Sequence, residues 1–176
     1  HQWDLPPRVA SPAVPAAAPM TPARIALGRR LFYDLRLSGN GTQSCATCHR
    51  QELAFTDARA QAVGSTGMVH SRSAMSLVNV AYRDALTWAD PALRSLEEQA
   101  LIPMFGTSPI ELGLTGQEAR VYAELGGDPV YQRLFPAAFP GVDDPVTTPN
   151  VALALAAFQR SIVSFRSPFD RYRQHE

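Results

Sequence analysis

Apolar positions recur at helical spacing in several stretches of the chain, separated by polar runs rich in glycine and proline. Ile25, Leu27, Leu31 and Phe32 define the face of a first helix, with Thr21 as its cap and Pro22 at its first position. The apolar run Ala74 to Tyr82 fits either a helix or a buried strand, because its period does not decide between them. Ser95 with Glu98 predicts a capping box for a helix through Gln99 to Ile102, ended by Pro103. Shorter helices are expected at Gln117 to Leu125 and Pro129 to Phe135, on either side of Gly126-Gly127. Asn150 offers a cap for the last clear helix, where Val151, Leu155, Phe158, Ile162 and Phe165 fall on one face.

The intervening segments are long. Residues 6 to 23 carry Pro6-Pro7, Pro15, Pro19 and Pro22, a run that cannot sustain a helix and is expected to lie extended over the surface. Asp34 to Thr42 turns through Ser38-Gly39-Asn40-Gly41, Gly64 to His70 reads as loop, and Gly106 to Gly116 as irregular. The predicted class is therefore mainly α with long loops. Loops of this length in a compact domain usually carry function. An arm at 1–21 and a helical domain at 22–172 follow, with 173–176 opening a linker.

Composition narrows the chemistry. The 176 residues suit one domain of ordinary size. Sixteen basic side chains balance sixteen acidic ones, which implies no bulk attraction to nucleic acid or to an anionic membrane. Every basic residue is Arg, so Lys-based acid–base or Schiff-base catalysis is excluded. No apolar stretch approaches the roughly 18 residues of a membrane span.

The decisive pattern is Cys45-Ala46-Thr47-Cys48-His49. Cys-x-x-Cys-His is the attachment sequence of haem c, in which two thiols form thioethers to the porphyrin and the adjacent imidazole ligates the iron. Cys45 and Cys48 are the anchors and His49 the axial ligand. The competing readings are a redox or disulfide pair beside an unrelated His, or half of a zinc site, and there is no second Cys pair to complete the latter. The 150–165 helix is expected to pack against the haem helix. Thioether attachment of this kind implies an exported, periplasmic protein.

Longer strings carry a resemblance. Leu27 to His49, with Ala54-Phe-Thr-Asp57, Arg72 to Tyr82, Trp88, Ser95-Leu-Glu-Glu-Gln-Ala100, Pro109-Ile-Glu-Leu-Gly113 and Ser167-Pro-Phe-Asp-Arg-Tyr172, resembles the amino-terminal haem domain of the bacterial di-haem cytochrome c peroxidase and MauG superfamily. Leu101-Ile-Pro-Met-Phe-Gly106 is most similar to the MbnH-like subgroup, which contains an enzyme that oxidises a Trp of a copper-binding partner protein. The resemblance implies a cytochrome c-like domain forming half of a two-domain, di-haem architecture. One haem c is covalently bound in this chain and the second is expected in a carboxy-terminal domain or second chain.

The resemblance also assigns roles. Glu111 matches the carboxylate that moves a proton between the oxygens of hydrogen peroxide. Trp88 matches the aromatic relay between haems, toward an electron donor or substrate protein. Pro103 and Gln99 match positions on the distal side, although two extra residues separate Pro103 from Glu111. His70 stands near the place of a histidine that caps the resting iron in some members. An exposed loop histidine is the other reading, since it sits only two residues before Arg72. The family's calcium site takes an Asn where this chain has Ser73, leaving calcium to a carbonyl and water. The implied activity is a peroxide-reacting haem oxidoreductase. The alternative is a single-haem electron carrier with Met104, Met75 or Met68 as sixth ligand.

Overall fold

The computed structural model describes residues 1–16, 18–88 and 90–174. Among them are seven α-helices and no strand: α1 (Pro22–Phe32), α2 (Cys45–Cys48), α3 (Leu96–Phe105), α4 (Glu118–Gly127), α5 (Pro129–Ala138), α6 (Thr148–Arg160) and α7 (Pro168–Gln174). α7 extends into the segment expected to open a linker, and residues 175 and 176 lie outside those described.

α1 begins as its sequence dictates. The Thr21 hydroxyl accepts the Arg24 amide at 3.1 Å, and Pro22 occupies the first turn, where no amide is needed. Leu27, Leu31 and Phe32 are fully buried against α6 and α5. At Gly28 the α1 and α6 backbones come so close that a Cβ would collide with the Ala154 carbonyl. The core continues through Leu37, Met104, Leu114, Tyr131 and Phe135.

Four elements depart from the pattern-based expectation. Ala74 to Tyr82 is neither helix nor strand but an extended run ending in a 3₁₀ turn at Val80–Tyr82. Its polar side chains explain why. The Ser76 hydroxyl donates to the Ala54 carbonyl, and Asn79, in the left-handed region at φ 57°, exchanges two hydrogen bonds with the Ser164 backbone. α3 does not stop at Pro103 but runs to Phe105. Its last carbonyls, on Pro103 and Met104, accept the amides of Leu112 and Leu114, and Met104 is fully buried.

α5 likewise passes through Pro136 to Ala138. α6 starts at Thr148, capped by Thr147 rather than by Asn150, whose amide instead donates to the Pro145 carbonyl. α6 ends at Arg160, so Ile162 and Phe165 lie beyond it, and it packs chiefly on α1 and α3 rather than on the cysteine-bearing turn α2.

Residues 1 to 20 contain no helix among those described. They are tied down at intervals, by Ala10 accepting the Tyr82 hydroxyl at 2.9 Å and Asp4 pairing with Arg166 at 2.6 Å.

Candidate haem site

A cavity of about 300 Å³ opens between α2, α3, the end of α6 and the 62–77 and 86–88 segments. Cys45, Cys48, His49, His70, Ser73, Trp88, Gln99, Pro103 and Glu111 all line this one cavity.

The α2 turn carries Cys45 and Cys48. Ser44 and Thr47 cap one another reciprocally, which fixes a helix only four residues long. His49 closes it, and its Nδ1 lies 2.9 Å from the Phe55 carbonyl oxygen. A carbonyl only accepts, so Nδ1 carries the proton and Nε2 keeps the lone pair for a metal. The carbonyl is aimed by two consecutive left-handed residues, Ala54 at φ 55° and Phe55 at φ 58°. Such strain costs on the order of 1–2 kcal/mol per residue. It is offset by Phe55 donating its amide to Arg50 at 2.8 Å and by its ring packing 6.2 Å from Phe32. Burial pushes His49 below its usual range, with the Phe55 and Met75 carbonyls pulling the other way, and the neutral ring is the form that ligates.

The two thiols are free and half-buried. Burial pushes Cys45 up to about 12 and raises Cys48 as well. Among the described residues no group of three or more His, Cys, Asp or Glu side chains could hold a metal ion. The donor set therefore fits a covalently attached haem. Cys45 and Cys48 would hold it, His49 Nε2 would take the iron, and Phe32, Ala62, Leu77 and Leu86 give apolar walls.

Glu111 is positioned by backbone rather than by side-chain contacts. Its carbonyl accepts the Ser65 amide at 2.7 Å, and the next residue is held from both sides, by Gly39 donating to the Leu112 carbonyl and Leu112 donating to Pro103. Gly64 lets the two loops meet, since a Cβ there would strike the Ile110 carbonyl. The extra residues between Pro103 and Glu111 are thus accommodated in a loop clamped to the end of α3. Burial raises the Glu111 carboxyl above its usual value, and the nearby His70 works against that rise. His70 itself sits on a short hairpin, its amide bonded to the Ala62 carbonyl at 2.9 Å.

Trp88 is 54% exposed at the rim, so core packing is not its role. Its indole N–H donates to the Ser73 carbonyl at 2.8 Å. Ser73 is the position that the resemblance matches to the family's calcium site. Gln99 and Pro103 reach the cavity from one flank of α3. Of the three candidate methionines, Met104 lies in the core, Met68 accepts the Ile110 amide through its sulfur at 3.2 Å, and only Met75 lines the cavity.

Sequence reasoning missed Gln159. It is 5% exposed, lines the cavity from α6, and its Oε1 has no hydrogen-bond partner. A single amide placed directly after the apolar run from Val151 to Phe158 was the signal available.

The geometry meets its relatives here. Residues 22–176 match the family model for di-haem cytochrome c peroxidase, and the chain belongs to that family. The MauG protein of Methylorubrum extorquens is 40% identical over 158 residues, spanning 90% of this chain and 43% of that protein. The cytochrome c peroxidase IdrP1 of Denitromonas iodatirespirans is 41% identical over 164 residues, spanning 91% of this chain and 41% of that protein. A crystal structure of a MauG-like protein associated with microbial copper homeostasis superposes with a TM-score of 0.96 at 46% identity, covering 99% of this chain and 50% of the other. The chain thus spans half or less of the length of these relatives.

Proposed function

We propose that this chain is the peroxide-reacting haem domain of an exported di-haem oxidoreductase. The observation that carries the reading is the convergence of Glu111, Gln99, Pro103 and Trp88 on the same cavity as Cys45, Cys48 and His49. When bound, haem c supplies an iron that accepts an oxygen of hydrogen peroxide and takes up two oxidising equivalents. Glu111 accepts a proton from one peroxide oxygen and returns it to the other, and its raised affinity for protons suits both halves of that transfer. His49 is held in the ligating tautomer by Phe55. Trp88, pinned at the exposed rim by Ser73, gives electrons a way in from outside the cavity.

The electron source in this reading is a second haem, in a carboxy-terminal domain or separate chain, fed by a cytochrome or by a Trp of a substrate protein. No helix among the described residues is long and apolar enough to cross a membrane. Export follows from the thioether chemistry.

The electron-carrier alternative needs a methionine on the iron. Met104 is fully buried in the core and Met68 is engaged by Ile110, which leaves Met75, the one of the three that lines the cavity. The ferric spectrum separates the two readings. A high-spin spectrum that shifts on adding cyanide is expected, and a low-spin, methionine-ligated spectrum indifferent to cyanide would overturn the proposal.

A further inference from the structure

Phe32 and Tyr33 are adjacent at the end of α1 and face different spaces. Phe32 is fully buried and lines the haem cavity beside His49, the ring centroids 6.4 Å apart. Tyr33 is 42% exposed and lines a separate open groove of about 730 Å³ with Ile25, Ala26, Leu134, Arg29 and Arg30. The Phe32 and Tyr33 rings are 5.4 Å apart and edge to face. The rings of His49, Phe32 and Tyr33 therefore form a continuous aromatic series from the cavity to the surface.

The groove has a defined chemistry. Ile25, Ala26 and Leu134 give an apolar floor, while Arg29 and Arg30 stand at it without a salt bridge among the described residues. Such a surface suits a flat apolar ring bearing an anionic group, with Arg as the partner of a carboxylate. The Tyr33 hydroxyl donates to Gln51 Oε1 at 3.2 Å, which holds the phenol in place while leaving the ring edge open.

We infer that the Tyr33 groove is a second substrate site, at which small phenols carrying a carboxylate are oxidised one electron at a time through Tyr33 and Phe32. This rests on the peroxide reaction proposed above, which supplies the oxidant. Reducing one hydrogen peroxide to two waters takes two electrons and two protons. Two phenol molecules supply them, each giving one electron and one proton and leaving as a phenoxyl radical. Tyr33 acts as carrier: it loses an electron toward the cavity and its proton to water, then regains both from the bound phenol's O–H.

The test uses the haem-loaded chain with 4-hydroxyphenylacetate as probe. Tyr33→Phe keeps the ring contact and removes the phenol. It is expected to lower peroxide-dependent oxidation of the probe at least tenfold while the spectral change on adding peroxide keeps its rate. It should also abolish a tyrosyl signal in freeze-quenched electron paramagnetic resonance. Arg29→Ala with Arg30→Ala is expected to weaken probe binding at least fivefold without peroxide, and to raise KM with kcat unchanged. Unaltered probe oxidation in Tyr33→Phe, or unaltered probe binding in the arginine variant, overturns the inference while the peroxide reaction stands. Absence of any spectral response to peroxide in the unsubstituted chain overturns both.

Discussion

Arg160 at the end of α6 grips Glu97 in the first turn of α3, its Nη2 lying 2.9 Å from Oε1, with the two side chains only 5% and 16% exposed. The pair fixes α3, which carries Gln99 and Pro103 to the haem cavity, against the helix that carries Gln159 there. Removing one charge leaves the other buried and uncompensated, a change that costs about 3–5 kcal/mol. Glu97→Gln should lose stability on that scale in chemical denaturation. Adding Arg160→Met should recover part of the loss, and a loss under about 1 kcal/mol would show that water screens the pair.

The α1–α6 contact gives a prediction from packing alone. A methyl group at Gly28 meets the Ala154 carbonyl and the Phe158 Cβ, both on α6. Gly28→Ala should destabilise by about 1–3 kcal/mol despite its better helix propensity. At about 2–4 °C per kcal/mol for a domain of this size, the melting temperature falls measurably. A rise would mean that the helices separate freely.

Acid sensitivity has an identified contributor. Burial alone would raise the Asp34 carboxyl, but the Arg36 guanidinium, the Arg36 amide and the Tyr131 hydroxyl outweigh it and hold the group below 3.8. A carboxyl lowered on folding contributes stability that is present above its unfolded value and lost as pH falls through the folded one. Melting temperature should therefore decline below about pH 4. The decline should be shallower in Asp34→Asn, which also starts from a lower plateau at pH 7. Equal slopes in the two proteins would remove Asp34 from the account.

Much of the site was legible in the sequence because its chemistry is local. Cys45, Cys48 and His49 are fixed by spacing, and Thr21-Pro22 marks a helix start whatever follows it. Glu111, Trp88, Gln99 and Pro103 came only through the resemblance, and their assembly in one cavity is a tertiary fact. What misled was propensity overridden by distant partners. Pro103 reads as a helix end until the amides of Leu112 and Leu114 take up the last carbonyls of α3. Ala74 to Tyr82 reads as regular structure until Ser76 and Asn79 bond to Ala54 and Ser164. Gln159 gave little sign of itself because a lone amide on an apolar helix face more often has a partner than faces a cavity.

Glu111 carries the central claim, since it joins the haem-attachment motif to peroxide chemistry. Glu111→Gln keeps the shape of the side chain and removes the proton carrier. In rapid mixing of the haem-loaded chain with hydrogen peroxide, its second-order rate constant should fall by about 10²–10⁴-fold. Haem content on a denaturing gel and the ferric spectrum should stay as they are. A rate within twofold of the unsubstituted protein, at equal haem content, would contradict the assignment.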